Sequence, residues 1–175
     1  MVICQIGNKY SEKIYIIRLV MKIEIDQSNK IEQTNRITSI GLSNDIELSI
    51  SIKSTEKQKL EKYFRQTKQR KIFAVLSFCV LIYLILDKIK FEKYEIYIDR
   101  EYPGYDQFVK KQVVAFFDRF SSRKIDIHKI HITCIGKSSN AHRVANFSAK
   151  GYYKTVKIVA NKIITLLENK KSGST

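Results

Sequence analysis

Two short segments of this chain alternate apolar and polar residues and then stop on an aspartate. Residues 93–99, KYEIYID, end at Asp99, and residues 22–26, KIEID, end at Asp26. Alternation with a period of two predicts a β-strand in each segment. If the two strands are neighbours in one sheet, their terminal carboxylates converge, and such groups repel each other unless a cation lies between them. The pair predicts an oxygen-ligand site for Mg²⁺ or Mn²⁺, although either aspartate alone also fits a turn residue.

The same alternation recurs in three other segments. Residues 31–42 and residues 46–53 follow the first strand after short polar turns, which predicts an antiparallel meander of three strands. The segment of residues 93–99 is then the fourth strand, and residues 125–136 predict the fifth.

Helical patterns separate these predicted strands. Residues 56–71 are strongly basic and helical in pattern, and residues 105–120 predict an amphipathic helix. The last helix is expected to begin near Ala141 and to run to about Glu168.

Residues 72–86 form an almost unbroken apolar run with two interpretations. As a helix the run would extend about 22 Å, which is less than the roughly 30 Å of a bilayer's hydrocarbon core. The basic segment before it is typical of a membrane anchor. We favour a helix buried against the sheet, because strands flank the run closely on both sides, and we therefore expect no membrane association.

The predicted element order is β-β-β-α-β-α-β-α. This order indicates an α/β fold with a five-stranded mixed sheet and helices on both faces. Residues 21–168 are expected to form one domain. Residues 1–20 are an uncertain N-terminal extension, and because Met21 begins a clean strand we expect translation to start there. Residues 169–175 are expected to form a flexible tail.

Basic residues far outnumber acidic ones in this chain. It contains 32 Lys and Arg against 17 Asp and Glu, which gives a formal net charge of +15. Such an excess favours a polyanionic partner, either nucleic acid or an anionic membrane surface, although a Lys-rich composition alone also produces it. We expect DNA or RNA as the partner. The residues predicted to hold its phosphates are Lys57, Lys59, Lys62, Arg65, Lys68, Arg70, Lys71 and Arg143.

The cysteines and two of the histidines give no zinc signal. The three cysteines are scattered without a CxxC pair, which suits a reducing compartment, and we expect a cytoplasmic location. His128 and His131 are three residues apart, so on a strand their side chains would point to opposite faces.

The element order and the spaced acids resemble the ribonuclease H-like superfamily. That superfamily includes ribonucleases H, Holliday-junction resolvases, retroviral-type integrases, many transposases and the PIWI domain of Argonautes. Its first acid lies on the first strand and its second at the end of the fourth, in adjacent central strands, which Asp26 and Asp99 match. A final acid or His lies early in the last helix, where the run NAHRVAN, residues 140–146, puts His142. The resemblance implies that these three residues bind Mg²⁺ or Mn²⁺ and are catalytic.

The chain departs from this family at one acidic position. The family usually has a glutamate in the helix after the third strand, facing the metal site. Here the early turns of the apolar run carry Lys71, Ala74 and Ser77, so no carboxylate is expected there. Glu56 and Glu61 would substitute only if the basic segment folded back. The two aspartates and the histidine can hold one metal ion, whereas a two-metal site is under-supplied.

Three functions from different classes fit these features. The first is a metal-dependent nuclease in which Asp26 and Asp99 hold the ion that activates water, and His142 completes the coordination or assists proton transfer. The second is a non-catalytic nucleic-acid-binding protein of the same fold, which the missing glutamate favours. The third is a membrane-anchored protein that spans at residues 72–86.

Overall fold

The computed structural model describes residues 21–43 and 45–169 of the chain. The expectations for residues 1–20 and for the tail beyond residue 169 lie outside the described residues.

Six strands form one mixed sheet in the described chain. They are β1 (Met21–Ser28), β2 (Thr38–Ser43), β3 (Glu47–Ile52), β4 (Tyr94–Asp99), β5 (Ile130–Thr133) and β6 (Val156–Ile158). Their spatial order is β5-β4-β1-β2-β3-β6. The first three strands are antiparallel neighbours, whereas β4, β5 and β6 each join the sheet in parallel pairing. The antiparallel meander and the central position of β1 beside β4 are therefore as predicted.

Five α-helices cover the sheet in the described residues. They are α1 (Ser54–Gln66), α2 (Phe73–Leu86), α3 (Asp106–Phe120), α4 (Asn140–Ala149) and α5 (Ala160–Glu168). Helices α1, α2 and α3 lie on one face, and α5 packs against α1 and α2, while α4 alone covers part of the other face. The α/β class with helices on both faces is confirmed.

The two faces of the sheet differ in composition because side chains alternate along each strand. On the face toward α1 and α2, β2 and β3 present Ile40, Leu42, Ile50 and Ile52, all at most 1% exposed. The opposite face of the same strands carries glycine and serine, including Gly41. The apolar face supplies the hydrophobic core, and the small residues of the other face allow a helix to lie close to the backbone.

Two predicted strands are shorter than expected. Residues 31–42 are expected from the sequence to be extended, but β2 starts only at Thr38, because the chain before it folds into turns that include a bond from the Gln33 N–H to the Lys30 carbonyl. The segment of residues 125–136 contributes only Ile130–Thr133. A short 3₁₀ turn precedes β5, and the Asp126 carboxylate caps it by accepting from the His128 N–H at 2.9 Å.

The prediction of one long final helix and of five strands is wrong. Helix α4 ends at Ala149, and Gly151 follows with a φ of +85°, a conformation that ends helices. Residues 156–158 then pair with β3 as the sixth strand, and α5 begins only at Ala160. The pattern of the segment from 141 to 168 conceals this break, because β6 has only three residues.

Helix α2 confirms the expectation of a buried helix over residues 72–86. Its residues from Ser77 to Leu86 are all buried, between the sheet and α3. Among the helices of residues 21–43 and 45–169, none combines the length and the apolarity that a membrane crossing requires.

One predicted phosphate-binding residue, Lys57, is instead part of the core. Its side chain is fully buried, and its ammonium donates to the carbonyls of Lys30 and Gln33 and to the Thr38 hydroxyl at 2.7 to 3.1 Å. Burial lowers the pKa of Lys57 to about 8. The expectation that Lys57 binds phosphate is therefore wrong, because its donors already hold the connection between β1 and β2 against α1.

This role predicts that Lys57→Ala destabilises the fold. Removing the ammonium takes a donor from two part-buried carbonyls and from the buried Thr38 hydroxyl, which should lower the free energy of unfolding by about 2–3 kcal/mol. Lys59→Ala on the same helix is the matched control, since Lys59 makes an exposed ion pair with Glu56 and should change stability by less than about 1 kcal/mol. Urea denaturation of both variants measures the difference, and equal stabilities would contradict the role assigned to Lys57.

Candidate metal centre

The pairing of β1 with β4 brings two aspartates to the same end of the sheet. The strands are parallel, and Ile25 lies opposite Ile98, so Asp26 and Asp99 come next on each strand. Both side chains point to the face that α4 partly covers. The predicted convergence of the two carboxylates is confirmed, because an oxygen of each lies within 4.8 Å of the other.

A third carboxylate, Glu101, completes the cluster. One oxygen each from Asp26, Asp99 and Glu101 lies within 4.8 Å of both others, and Asp26 is only 4% exposed. We call these three residues the carboxylate cluster. Glu101 is not among the site residues predicted from the sequence, because the family resemblance places the further acid in the helix after the third strand.

The two alternative glutamates considered in the sequence lie elsewhere. The Glu56 carboxylate binds the Lys59 ammonium and accepts from the Ala160 N–H, each at 2.7 Å. The Glu61 carboxylate pairs with Arg65 at 2.7 Å along α1. Neither joins the cluster, so Glu101 is the acid that supplements the aspartates.

Backbone donors fix the orientation of both aspartates. The Gln27 N–H donates to Asp26 Oδ1 at 2.6 Å, and the Ile135 N–H donates to Asp99 Oδ1 at 2.7 Å. Each carboxylate therefore has one oxygen engaged by the backbone. The second donor belongs to the connection between β5 and α4, so that connection contributes directly to the site.

His142 reaches the cluster from the first turn of α4. Its Nδ1 lies 2.7 Å from Asp26 Oδ2. The helix starts here because the Ser139 hydroxyl caps it, accepting from the Ala141 and His142 N–H groups. His142 thus contacts the site as predicted, through a hydrogen bond to Asp26. A direct role as a metal ligand stays a prediction.

The close approach of α4 to the sheet depends on Gly41. This residue lies opposite Asp26 in the β1–β2 pairing. A Cβ atom at position 41 would lie 2.5 Å from the Ala141 carbonyl oxygen and closer still to the Ala145 nitrogen. The backbone of α4 therefore rests directly on β2, which is what brings His142 within hydrogen-bond distance of Asp26.

The electrostatics of the cluster are unfavourable without a cation. Burial is the largest cause that raises the pKa of Asp26, and the Asp99 charge adds to it against the opposing bond from His142. Burial and the charges of Asp26 and Asp99 raise the pKa of Glu101 to about 7, although Lys30 opposes them. Negative charge therefore accumulates here beyond what the nearby cations balance.

The donor set fits a hard divalent cation. All three converging groups offer carboxylate oxygen, which suits Mg²⁺, Mn²⁺ or Ca²⁺ better than zinc or copper. A cation bound between the carboxylates would also offset the repulsion among their charges.

The remaining predicted phosphate-binding residues lie in different surroundings. Arg70 and Lys71 line a groove with Tyr102 and Tyr105, and Tyr102 directly follows Glu101 in the chain. Lys62 and Lys68 are exposed, and Lys59 and Arg65 are exposed within ion pairs on α1. Arg143, next to His142, bonds the Tyr153 hydroxyl and the Glu47 carboxylate.

No protein-family model, no curated protein and no solved structure matches this chain. The site is therefore interpreted from its own residues and geometry.

The packing of α4 predicts that Gly41→Ala perturbs the site. The added methyl group must push α4 away from β2, which should cost about 1–3 kcal/mol of stability and lengthen the distance between His142 and Asp26. Ser39→Ala is the matched control on the same face of β2, because the buried Ser39 hydroxyl has no partner among the described residues. Urea denaturation and the NMR signals of the His142 ring test this expectation. An unchanged His142 environment in Gly41→Ala would contradict it.

The raised pKa of Glu101 predicts a pH-dependent loss of stability without metal. The folded state holds this proton more tightly than the unfolded chain, so the free energy of unfolding should fall as pH rises from about 4.5 to about 7. In EDTA above pH 7, Glu101→Gln should therefore be more stable than the parent by about 1–3 kcal/mol. The free energies of unfolding of the two proteins should converge below pH 4.5, where Glu101 of the parent is protonated in both the folded and the unfolded state.

Mn²⁺ should reverse this order by stabilising the parent more than Glu101→Gln. Glu61→Gln, on the surface of α1, is the control and should show neither effect. Denaturation midpoints across this pH range, with and without Mn²⁺, provide the measurement. A parent protein with flat stability in EDTA would show that the carboxylates do not repel one another.

Proposed function

We propose that this chain is a divalent-metal-dependent nuclease of the ribonuclease H-like superfamily, acting on phosphodiester bonds of nucleic acid. The observation that carries the proposal is the convergence of Asp26, Asp99 and Glu101 at the ends of two adjacent central strands. Three clustered acids, one of them nearly fully buried, cost stability, and such a cost is typical of a functional site.

The arrangement of the sheet supports the assignment to this superfamily. An antiparallel meander comes first, then strands that alternate with helices, and β1 lies beside β4 at the centre. These are the features on which the resemblance rests. Strand β6 extends the sheet beyond β3, far from the carboxylate cluster in strand order, so it leaves the proposed site intact.

The carboxylate cluster would hold Mg²⁺ or Mn²⁺. Such an ion, when bound, supplies a Lewis acid that polarises the scissile phosphate and lowers the pKa of water. Asp26, Asp99 and Glu101 each contribute an oxygen, and their backbone bonds keep two of these groups fixed in orientation. The presence of Glu101 removes the shortage of acids that favoured a non-catalytic protein.

His142 has a positioning role in this proposal. Its bond from Nδ1 to Asp26 Oδ2 holds the aspartate that is most buried, in the way that a histidine and a carboxylate orient each other beside a metal. The same ring is close enough to the cluster to assist proton transfer, the second role expected from the sequence.

The groove beside Glu101 would hold the substrate backbone. Arg70 and Lys71 are exposed cations in this groove, and Tyr102 and Tyr105 supply aromatic surface, while Glu32 and Glu61 also line it. Cations of this kind neutralise phosphates without reading sequence, and aromatic rings stack on bases. Lys68 lies at the same turn as Arg70 and Lys71, in an exposed position that adds to the positive field.

The proposal predicts metal-dependent cleavage that requires the cluster. Labelled duplex, hybrid and branched substrates should be cut in Mn²⁺ or Mg²⁺ and left intact in EDTA. Asp26→Asn, Asp99→Asn and Glu101→Gln should each reduce the rate by at least about 100-fold, because each removes a charge that holds the ion. Glu95→Gln, on the same face of β4 but paired with His131, is the control and should keep activity. Binding without cleavage by the parent would favour the non-catalytic alternative.

We expect the groove to bind nucleic acid of any base sequence, with an affinity that falls as the salt concentration rises. Replacing Lys68, Arg70 and Lys71 together with Ala should weaken binding to all sequences alike. The slope of log K against log salt should flatten by about 0.9 for each phosphate that the variant no longer neutralises.

A charge-matched control is available at the other end of β4. Replacing the exposed Lys88, Lys90 and Lys93 with Ala removes the same charge far from the cluster. Fluorescence anisotropy across a salt series compares the two triple variants. Equal slopes would mean that the effect comes from net charge and that the groove is not the interface.

A further inference from the structure

A long stretch of the C-terminal half contains basic residues and no acid. From residue 127 to residue 167 the chain has no Asp or Glu. Its cations are Lys129, Lys137, Arg143, Lys150, Lys154, Lys157 and Lys162. The stretch crosses the fold from β5 at one edge of the sheet to β6 at the other, and Arg143, Lys150, Lys154 and Lys157 lie on or next to α4 and β6.

Aromatic side chains cluster on the same part of the surface. The Phe147 ring lies 5.9 Å from Tyr152 and 6.0 Å from Tyr153 between centroids, and the second pair is stacked. Tyr152 is 76% exposed and Phe147 36% exposed. A ring as exposed as that of Tyr152 buries little apolar area in the fold itself, so it contributes more to a contact surface than to stability.

Three cations lie on or near these rings in the chain, and one of them, Arg143, is paired with the Glu47 carboxylate. The Arg143 guanidinium lies 5.8 Å from the centre of the Tyr153 ring and donates to its hydroxyl at 2.6 Å. Lys150 and Lys154 are exposed on either side of Tyr152 in the chain. We call Arg143, Phe147, Lys150, Tyr152, Tyr153 and Lys154 the aromatic–basic surface.

This surface begins one residue from the candidate metal centre. Arg143 follows His142 on α4, and Phe147 is one helical turn further along, at the i+4 position. An extended ligand that lies along α4 from this surface would therefore lead toward the carboxylate cluster.

We propose that the aromatic–basic surface binds single-stranded nucleic acid, with bases stacked on Phe147 and Tyr152 and phosphates against Lys150 and Lys154. The faces of exposed rings are useful only to bases that are not already stacked in a duplex. A second copy of the chain fits less well, because a symmetric contact would bring the same cations against each other. The choice of nucleic acid as partner rests on the function proposed above.

The test is a binding measurement in EDTA, so that no cleavage contributes. A fluorescent oligothymidylate and a labelled duplex are titrated with the parent, Tyr152→Ala, Tyr152→Phe and the triple variant of Lys68, Arg70 and Lys71. Tyr152→Ala should weaken single-strand binding about tenfold, the typical effect of losing one stacking ring, and leave duplex binding unchanged. Tyr152→Phe keeps the ring and should bind as the parent does. Tyr152 is too exposed for these changes to affect folding.

The other outcomes separate this inference from the proposed function. If Tyr152→Ala binds oligothymidylate as the parent does while the triple variant weakens, the surface is not a single-strand site and the nuclease proposal stands. If the parent binds neither probe at low salt, nucleic acid is the wrong partner and both proposals fail. If Tyr152→Ala only converts a dimer into a monomer in sedimentation, the surface is a self-association interface and the inference is overturned.

Discussion

The repulsion among three neighbouring carboxylates is the constraint on which the rest of the structure depends. Asp26, Asp99 and Glu101 converge within 4.8 Å, and Asp26 is almost completely buried. Such a cluster is unfavourable by itself, because desolvation and like charge both oppose ionisation. The fold therefore has to hold the acids together by other means. Parallel pairing of β1 with β4, two backbone N–H donors and the bond from His142 supply them.

The two faces of the sheet contribute differently to this task. The isoleucine and leucine face buries apolar area against α1, α2 and α3, and this burial supplies the main driving force for folding. The opposite face is built from small and polar residues, so it adds little hydrophobic stability. It instead lets α4 rest on Gly41 and carries the acids. Lys57 links the two faces indirectly. It lies on the apolar side of the sheet, and its ammonium bonds the connection that follows β1, the strand that carries Asp26.

The sequence predicted those parts of the fold and the site that depend on local patterns. The alternation in KIEID and KYEIYID was sufficient for two strands and their converging aspartates, because strand period and a terminal acid are both local features. Glu101 was missed although it lies two residues after Asp99, because it follows the end of β4, in a turn where the Glu101 N–H donates to the Asp99 carbonyl at 2.9 Å. The burial of Lys57 and the pairing of β6 with β3 arise from distant contacts, which no local pattern in a basic helix or a three-residue strand reveals.

The most direct test of this account is anomalous X-ray scattering from a crystal of the protein soaked in Mn²⁺. The account predicts a peak about 2.1 Å from one oxygen each of Asp26, Asp99 and Glu101, with His142 still bonded to Asp26. It also predicts that the peak disappears in crystals of Asp99→Asn. The absence of a peak at the cluster, with Mn²⁺ bound at another pair such as Glu95 and His131, would contradict the central claim that these three carboxylates form a metal centre.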